Sequence, residues 1–385
     1  MKYIFIFLNN KLITCDTIVP FILDLKNRNP KLKIRFFTND IKTLNVIRKN
    51  NNLIKIINLY GKITVIGWLE KSYSKLLRRT FKFIHIFQII LKSLIFKGIN
   101  IHFRGLENFP FNLIYIFNKK NTFLFEANCW GYNSIVFKTD ILFYPERNKP
   151  ENALNSYNNL VAFSKTWPQV EYSKKKKRNL YLINSTRVSQ NWLDNSIQES
   201  KLLIKEKPLW HNNKKSLIYI LGSMDLIPTL NNKCTGASLL ESSLKILLKK
   251  SNYTILIKPH AITDMKIVNE IILECNSNRI FIVYNHVSVL AQISTLAFAN
   301  YFSYALVDAW VSGITVIEYS HYDDEALKIT NNNSVENNFV DIFINNNPKL
   351  LELALLKKYP RKTRLINKSY QNDTDVLLDT LSKNN

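Results

Sequence analysis

The amino-acid sequence predicts an α/β protein with two doubly wound domains, each a parallel sheet covered by helices. Two observations support this fold class. Short apolar segments alternate with segments of helical periodicity along most of the chain, which is typical of parallel sheets with helices on both faces. The 385 residues are too many for one ordinary domain and suit two.

The domain boundary is predicted at residues 206–216, where the alternation stops and Pro208 interrupts a stretch without periodicity. An N-terminal Rossmann-like domain would then occupy residues 1–205, and a second one residues 206–330. Residues 331–385 look mostly helical after an Asn-rich loop, and we expect them to pack back across a central cleft between the domains. Ligands of such sheets bind at the carboxyl edge, so the residues after each strand are the candidates for function.

In the first domain, strands are predicted from short runs rich in apolar and β-branched residues. They lie at residues 3–8, 33–37, 53–57, 63–66, 99–103, 122–125 and 160–163. Helices are predicted from the helical spacing of apolar side chains. They lie at residues 17–26, 41–48, 73–96 and 191–205. The basic run SKKKKR at 173–178 is more typical of a solvated loop.

The second domain repeats the alternation more regularly. Its strands are predicted at residues 216–221, 254–257, 280–284, 296–301 and 314–319. Its helices are predicted at residues 237–249, 264–275, 287–293 and 303–312. Gly313 follows the last of these helices, where a glycine is the commonest terminating residue.

The composition favours anionic partners. The formal net charge is +24, from 53 Lys and Arg against 29 Asp and Glu. The chain is also crowded with Asn, Lys and Ile and contains only 8 Gly, so a compositional bias accounts for the charge equally well. Hydrophobic residues make up 46% of the chain, which excludes a disordered protein.

Several features predict a cytoplasmic protein. The apolar run after Lys2 is shorter than that of a signal peptide, and no long uncharged apolar segment suits a membrane span. The four cysteines are far apart and have neither metal-ligand nor disulfide-framework spacing. The basic segment 71–97 is too charged to cross a bilayer. It could lie peripherally on an anionic inner membrane surface, or it could simply pack on the N-terminal sheet.

The predicted strand at 254–257 ends on Lys258-Pro259-His260. Proline fixes the backbone and removes an amide donor, so it can end a strand rigidly and hold the following imidazole in place. His260 could then donate to a phosphate oxygen, and Lys258 would add positive charge. The alternative is a strand-ending proline beside an incidental histidine.

Other strand ends carry similar polar groups. Ser303 is suited to cap a helix whose first turn offers amide groups and a positive dipole to a phosphate, with Tyr304 as a further donor. Gly222 and Ser223 follow one strand, and His286 follows another. No D-x-D pair follows a strand, so we expect neither a metal ion nor a cofactor.

With these residues, the segment 216–320 resembles the C-terminal half of GT-B glycosyltransferases. More narrowly, it resembles bacterial transferases of CMP-activated sugars, the sialyltransferases and Kdo transferases, although KPHA stands where that family often has KPHP. The resemblance implies a nucleotide sugar as substrate, a surface polysaccharide or lipooligosaccharide as acceptor, and phosphate contacts from His260 and the helix at Ser303.

The resemblance also implies an acidic residue in the N-terminal domain that activates the acceptor. Glu126, at the end of the strand in FLFEANCWGYN, is the best match, although the usual acidic-acidic-glycine pattern is absent. A surface carboxylate is the alternative. Asp225, after Gly222-Ser223, would orient substrate in an inverting enzyme or act as nucleophile in a retaining one, and the sequence leaves this choice open.

The sequence therefore predicts a metal-independent GT-B glycosyltransferase that uses a CMP-sugar. Alternatives are a transferase of the same fold that uses CDP-glycerol or a UDP-sugar, a catalytically inactive scaffold, and a non-enzymatic binder of acidic polymers. Nucleic acid is not expected as a partner, because no strand carries the interleaved aromatic and basic residues of nucleic-acid-binding sheets.

Overall fold

A computed structural model describes residues 3–9, 12–39, 41–67, 73–105, 109–130, 157–210, 215–225, 234–364 and 372–382. The described chain forms two compact units. Unit 1 contains the described residues up to 130, residues 157–192 and residues 372–382. Unit 2 contains the described residues between 193 and 364.

Unit 1 is built on a seven-stranded sheet in the order β3-β2-β1-β4-β5-β6-β7. Its strands are β1 (Tyr3–Leu8), β2 (Lys33–Thr38), β3 (Ile63–Val65), β4 (Ile99–Phe103), β5 (Thr122–Phe125), β6 (Asn159–Ala162) and β7 (Asn179–Leu182). All neighbouring pairs are parallel. Because parallel strands are buried on both faces, they are short and almost wholly apolar, as β1 and β4 show.

The helices of unit 1 cover both faces of this sheet. They are α1 (Leu12–Arg28), α2 (Ile41–Lys49), α3 (Asn51–Tyr60), α4 (Lys75–Ile95), α5 (Asn112–Phe117), α6 (Pro168–Lys175), α7 (Gln190–Glu206) and, much later in the chain, α14 (Thr374–Ser382). The helix α7 begins in unit 1 and continues into unit 2. One core lies between β1, β4 and the helices α1 and α3, and α14 adds its leucines to it.

Unit 2 is built on a six-stranded parallel sheet in the order β10-β9-β8-β11-β12-β13. Its strands are β8 (Ser216–Ile220), β9 (Thr254–Lys258), β10 (Ile280–Ile282), β11 (Leu296–Ala299), β12 (Thr315–Ser320) and β13 (Ile342–Asn345). Its helices are α8 (Gly236–Lys250), α9 (Met265–Cys275), α10 (Val287–Ile293), α11 (Tyr304–Val311), α12 (Asp324–Ile329) and α13 (Pro348–Leu356). Two apolar cores, one on each face of the sheet, hold the helices in place.

The predicted fold class of two parallel, doubly wound sheets is confirmed, and one predicted strand is wrong. Residues 53–57 lie in the helix α3. The side chain of Asn50 accepts a hydrogen bond from the amide of Leu53 and so caps this helix, and Leu53, Ile56 and Ile57 face the core at helical spacing. A five-residue apolar run fits the period of a helix and that of a strand equally well, and the cap at Asn50 identifies this run as helical.

The region after residue 330, predicted to be mostly helical, also contains a strand. Residues 342–345 form β13, which extends the unit 2 sheet beside β12. Described residues up to 364 belong to unit 2, whereas α14 belongs to unit 1. The two units divide between Trp192 and Leu193, inside α7, and not at residues 205 and 206. The basic run 173–178 is partly helical, because α6 extends to Lys175.

Candidate functional site

The site is built where the strand order of unit 2 reverses. β8 lies between β9 and β11, so the chain leaves β8 toward one side of the sheet and later returns on its other side. The loops after β8 and β11 therefore lead to opposite sides of the sheet, and the carboxyl edge at such a reversal is where ligands of doubly wound sheets bind. Three predicted residues, Gly222, Ser223 and Ser303, belong to these two loops, and Tyr304 is the first residue of α11.

A buried threonine joins the ends of β8 and β9. The hydroxyl of Thr263 accepts a hydrogen bond from the amide of His260 at 2.9 Å and donates one to the carbonyl of Gly222 at 2.7 Å. The amide of Leu221 donates to the carbonyl of Lys258 at 3.0 Å. The predicted residues Gly222, Lys258 and His260 are thus brought together on adjacent strands.

His260 is an exposed residue, and the turn partly covers its ring. Its Nδ1 accepts a hydrogen bond from the amide of Ile262 at 3.3 Å, which turns Nε2 away from the backbone. Nε2 makes no hydrogen bond with any residue that the structure describes. Desolvation by the surrounding turn, with a smaller contribution from the charge of Lys258, lowers the pKa of His260. The ring therefore favours its neutral form in the absence of an anion.

On the other side of β8, Gly222 packs directly against Tyr301 of the loop after β11. A Cβ atom at position 222 would lie 1.4 Å from the Tyr301 hydroxyl, so only glycine fits unless the tyrosine moves. The ends of β9, β8 and β11 consequently form one continuous surface. Sequence reasoning found Gly222, but nothing in the sequence reveals that its neighbour is Tyr301.

The loop after β8 is closed against the helix α8. The amide of Gly236 donates to the carbonyl of Asp225, and that of Ala237 donates to the carbonyl of Met224, each at 3.1 Å. Thr235 caps the amide of Ser238 in a capping box. The first-turn amides of α8 are therefore already satisfied within the protein.

The side chain of Asp225 is exposed in this loop, and its Oδ2 lies 3.4 Å from the hydroxyl of Ser223. The two residues hold a tight turn beside β8, since the amide of Asp225 also donates to the Ser223 hydroxyl at 3.2 Å. The structure explains the turn, and the catalytic part that the sequence suggested for Asp225 stays a prediction.

The helix α11 begins at the same edge. Ser303 caps it by accepting a hydrogen bond from the amide of Ala305, and the carbonyl of Ser303 accepts from Leu306. Tyr304 packs edge-on against Phe302 with ring centroids 5.2 Å apart. The predicted cap at Ser303 is confirmed, and it places the positive end of the helix dipole at the carboxyl edge of the sheet.

A buried carboxylate that sequence reasoning missed holds this corner. Glu318 of β12 is fully buried and accepts hydrogen bonds from the hydroxyls of Ser320 at 3.0 Å, Tyr322 at 2.6 Å and Ser334 at 2.5 Å. The backbone of Phe302 hydrogen-bonds to it as well. Burial raises the pKa of Glu318. The signal in the sequence was a single acidic residue inside the apolar strand ITVIEYS.

The remaining predicted residues of unit 2 have structural partners. His286 is buried and caps α10, because its Nδ1 accepts from the amide of Ser288 at 3.1 Å. Lys258 is 9% exposed at the end of β9. His321, which follows β12, contacts the sulfur of Cys234 and the hydroxyl of Tyr319. A cavity of about 380 Å³ opens beside it, lined by residues 321–324 and by Leu327, Asn345 and Asn346.

Glu126, the predicted acceptor-activating residue, lies in unit 1 after β5 and is 1% exposed. Its Oε2 accepts hydrogen bonds from the amides of Phe163 at 2.6 Å and Ser164 at 3.2 Å, at the end of β6. Its Oε1 is buried without a partner among the described residues. Burial raises the pKa of Glu126 to about 8, so the carboxyl group is mostly protonated at neutral pH. Gly131, behind this strand end, lies outside the described residues.

Within the described residues, no group of three or more His, Cys, Asp and Glu side chains is placed to hold a metal ion. None of the described helices is long and apolar enough to cross a membrane.

These two doubly wound units and their strand orders define the class of proteins with the GT-B fold. No family model matches the chain, and no curated protein matches it in sequence. Support for the predicted GT-B fold therefore comes from comparison with solved structures.

Among solved structures, the UDP-GlcNAc 2-epimerase of Methanocaldococcus jannaschii in complex with UDP-GlcNAc and UDP is similar over 99% of this chain and 99% of its own, with a TM-score of 0.53 and 15% identity. A further UDP-N-acetylglucosamine 2-epimerase covers 93% of this chain and 87% of its own, with a TM-score of 0.56 and 11% identity. The S. aureus MnaA-UDP structure covers 82% and 79%, with a TM-score of 0.51 and 10% identity. At such identities the likeness shows a shared fold.

Proposed function

We propose that the protein is an enzyme that uses a nucleotide sugar, and that it binds the phosphate of this donor at the carboxyl edge of the unit 2 sheet. One observation carries the proposal. The ends of β9, β8 and β11 meet at the reversal of the strand order, and this edge carries His260 after β9 and the capped start of α11 after β11.

The chemistry of this edge suits a phosphate. Because Nδ1 of His260 accepts from the amide of Ile262, the neutral ring carries its proton on Nε2, which can donate to a phosphate oxygen. Protonation of Nδ1 would add positive charge at the expense of that hydrogen bond within the turn. The positive end of the α11 dipole and the charge of Lys258 would add to the attraction. In glycosyl transfer the bond between the anomeric carbon and the phosphate oxygen breaks, so the same groups would stabilise the charge on the leaving phosphate.

For the reaction we propose glycosyl transfer from the donor to a glycan or glycolipid acceptor, as the sequence resemblance implies. A CMP-sugar is the donor suggested by the sequence. A UDP-sugar is supported by the fold shared with structures whose ligands are UDP and UDP-GlcNAc. Two roles remain predictions for the same enzyme. They are activation of the acceptor by Glu126 and a catalytic role of Asp225.

Epimerisation of a UDP-sugar is a second candidate. The observation that favours it is the coverage of 99% of both chains in the comparison with the M. jannaschii epimerase. The two reactions differ in what they need, since transfer requires an acceptor and epimerisation does not. NMR of the anomeric proton separates the two reactions. Epimerisation is detected during incubation of UDP-GlcNAc alone, and transfer is detected during incubation of a CMP- or UDP-sugar with an acceptor glycan.

The first test is nucleotide binding, measured by thermal shift with CMP, CDP, UDP and GDP. We expect stabilisation by CMP or UDP and a loss of about tenfold or more in affinity in His260→Ala, because a hydrogen bond to a charged group is removed. The matched control is Ile262→Ala, which alters an exposed apolar side chain, 67% exposed, of the same turn. Equal responses to all four nucleotides, or an unchanged response in His260→Ala, would contradict the proposal.

The same binding should depend on pH in a defined direction. The pKa of His260 is lowered in the unliganded protein, whereas a bound phosphate favours the protonated ring. Nucleotide binding should therefore take up a proton, and affinity should rise as the pH falls toward the ordinary range of imidazole. Calorimetry in buffers of different ionisation enthalpy measures this uptake, which should disappear in His260→Ala.

A further inference from the structure

The outward face of α4 is an apolar surface that no described part of the chain covers. Its apolar side chains follow the helical period along one stripe. Their exposed fractions are Leu76 76%, Phe83 42%, Ile84 49%, Phe87 60%, Leu91 41%, Leu94 45% and Ile95 70%. A helix of a water-soluble protein normally places polar residues on this side, so the stripe indicates a binding surface.

The opposite face of α4 already supplies the contacts with unit 1. Ile86, Ile89 and Ile90 are buried in a core with Phe5 and Phe7 of β1. Nδ1 of His85 accepts a hydrogen bond from the amide of Gly67 at 3.1 Å. The outward stripe is therefore not needed to hold the helix on its sheet, and it must be stabilised by something else.

The segment before and within α5 enlarges the same surface. Phe109 is 66% exposed and packs against Phe83 of α4, with ring centroids 5.5 Å apart. Ile116 and Phe117 of α5 are 49% and 60% exposed. We call the exposed apolar residues of α4, Phe109, Ile116 and Phe117 together the α4 surface. Several large side chains at neighbouring positions form a patch, which scattered exposed residues do not.

The charges around the α4 surface have one sign. Lys75, Arg78, Arg79, Lys92 and Lys97 lie on α4 or directly after it, and Lys119 and Lys120 follow α5. Between residues 73 and 121 the sequence contains a single acidic residue, Glu107, which lies outside the described residues. By helical position Arg79 and Lys92 border the stripe on its two sides, whereas Lys75 and Arg78 lie toward the side of Ile86 and Ile89. An apolar stripe bordered by basic residues is the pattern of helices that lie in the interface of an anionic membrane.

The charge pattern also decides between occupants. A second copy of this chain would bring Lys and Arg against Lys and Arg, which opposes association. A neutral apolar partner would leave the flanking cations without a role. An anionic lipid surface suits both the apolar stripe and the basic residues, because acyl chains contact the stripe and anionic headgroups pair with the cations. α4 has 21 residues and does not meet the requirements of a membrane span.

We propose that the α4 surface docks the protein onto an anionic lipid bilayer, with α4 lying along the membrane plane. At its length of about 30 Å, the helix would insert its stripe at the level of the headgroups and upper acyl chains. This proposal does not depend on the proposed nucleotide-sugar chemistry, which concerns unit 2.

The test is co-sedimentation of the full chain with vesicles of equal parts phosphatidylglycerol and phosphatidylcholine, compared with vesicles of phosphatidylcholine alone. We expect binding to the anionic vesicles that weakens with added salt, since the headgroup attraction is screened. In Phe87→Gln/Leu91→Gln, the partition coefficient should fall by about tenfold or more, because two inserted side chains become polar. Glutamine retains helix propensity, so α4 should persist.

The matched control is Leu273→Gln/Leu353→Gln, which changes two exposed leucines of unit 2, 77% and 58% exposed, and should bind vesicles like the unaltered protein. The nucleotide thermal shift should be the same in both double variants, which separates this proposal from the one on unit 2. Three results would overturn it. These are no binding to anionic vesicles, equal loss in both double variants, and a dimer in light scattering that only Phe87→Gln/Leu91→Gln dissociates.

Discussion

The two sheets have the same strand order around β1 and β8. The polar groups at their carboxyl edges nevertheless make different contacts. In unit 1, Asn9 after β1 donates to the carbonyl of Arg104 after β4 at 2.8 Å, and Glu126 after β5 binds the amides after β6. In unit 2, the turn after β9 is held by Thr263, and His260 remains an exposed residue.

The difference shows how one architecture can provide either stability or a binding edge. In unit 1 the acidic group at the edge is buried and stabilises neighbouring loops, so it is not presented to solvent. In unit 2 the hydrogen bonds that fix the loops come from Thr263 and Glu318, which leaves the imidazole available to a ligand. In unit 2 the structural task at the strand ends is thus performed by residues other than the histidine proposed to bind the ligand.

The largest effect is expected for Glu318→Ala. The hydroxyls of Tyr322 and Ser334 would lose their acceptor in a buried environment, whereas the hydroxyl of Ser320 keeps the carbonyl of Asn300 at 2.6 Å. Each buried unsatisfied group costs about 1–3 kcal/mol, so we expect the free energy of unfolding to fall by about 3 kcal/mol or more. Denaturant unfolding measures this loss. Glu325→Ala, which removes an exposed carboxylate of α12, is the control and should be nearly neutral.

If Glu318→Ala and Glu325→Ala were equally stable, the buried network would not hold the start of α11. The comparison of the two edges would then lose one of its two structural residues in unit 2, and only Thr263 would remain.

A pH-dependent effect of intermediate size is expected for Glu126→Gln. The carboxyl group titrates near 4.5 when unfolded and at about 8 when folded. Between these values the folded state keeps a proton that the unfolded state has released, so stability falls as the pH rises. The glutamine variant has no such titration. Relative to that of the unaltered protein, the free energy of unfolding of Glu126→Gln should rise by on the order of a few kcal/mol between about pH 5 and about pH 8.

Urea unfolding at a series of pH values checks this prediction. Glu171→Gln, an exposed carboxylate of α6 in the same unit, should show no comparable trend. A difference between Glu126→Gln and the unaltered protein that is constant with pH would mean that Glu126 is already charged in the folded protein, contrary to the buried edge described for unit 1.

The smallest effects on stability are expected at the N-caps of α8 and α11 in unit 2. Thr235→Ala and Ser303→Ala each remove an N-cap, and each should cost about 1 kcal/mol of stability. Only Ser303→Ala should also reduce the thermal shift produced by UDP or CMP, because the α8 amides are closed by Asp225 and Met224. Equal nucleotide responses in the two variants would place the ligand elsewhere on the edge.

Much of the fold could be predicted from the sequence because parallel strands are short apolar runs and their helices have polar outer faces. The strands at 3–8, 99–103 and 122–125 and the helix at 287–293 have the predicted bounds. The period of a five-residue run such as 53–57 is ambiguous, and β13 lies in a region where Asn-rich turns obscured the pattern. The helix at 51–60 is decided by the local cap at Asn50, and β13 is decided by its tertiary pairing with β12.

The candidate site could be predicted only in part. Its members His260, Gly222 and Ser303 were found because strand ends of doubly wound sheets meet at one edge. Thr263, Tyr301 and Glu318 were missed, because their importance lies in contacts between segments far apart in the sequence. His286 illustrates the converse, since a histidine at a strand end became a helix cap.

The helix α14 gives the protein a particular order of assembly. Its Leu377, Leu378 and Leu381 complete the unit 1 core, Asp379 pairs with Arg28 at 2.7 Å, and Asp373 just before it bonds the edge strand β7 at Leu182. Strands synthesised first are therefore finished by a helix synthesised long afterwards. While the ribosome is still translating unit 2, α1 would expose an apolar face, and a nascent chain that stops before residue 372 would keep that face open to chaperones or aggregation.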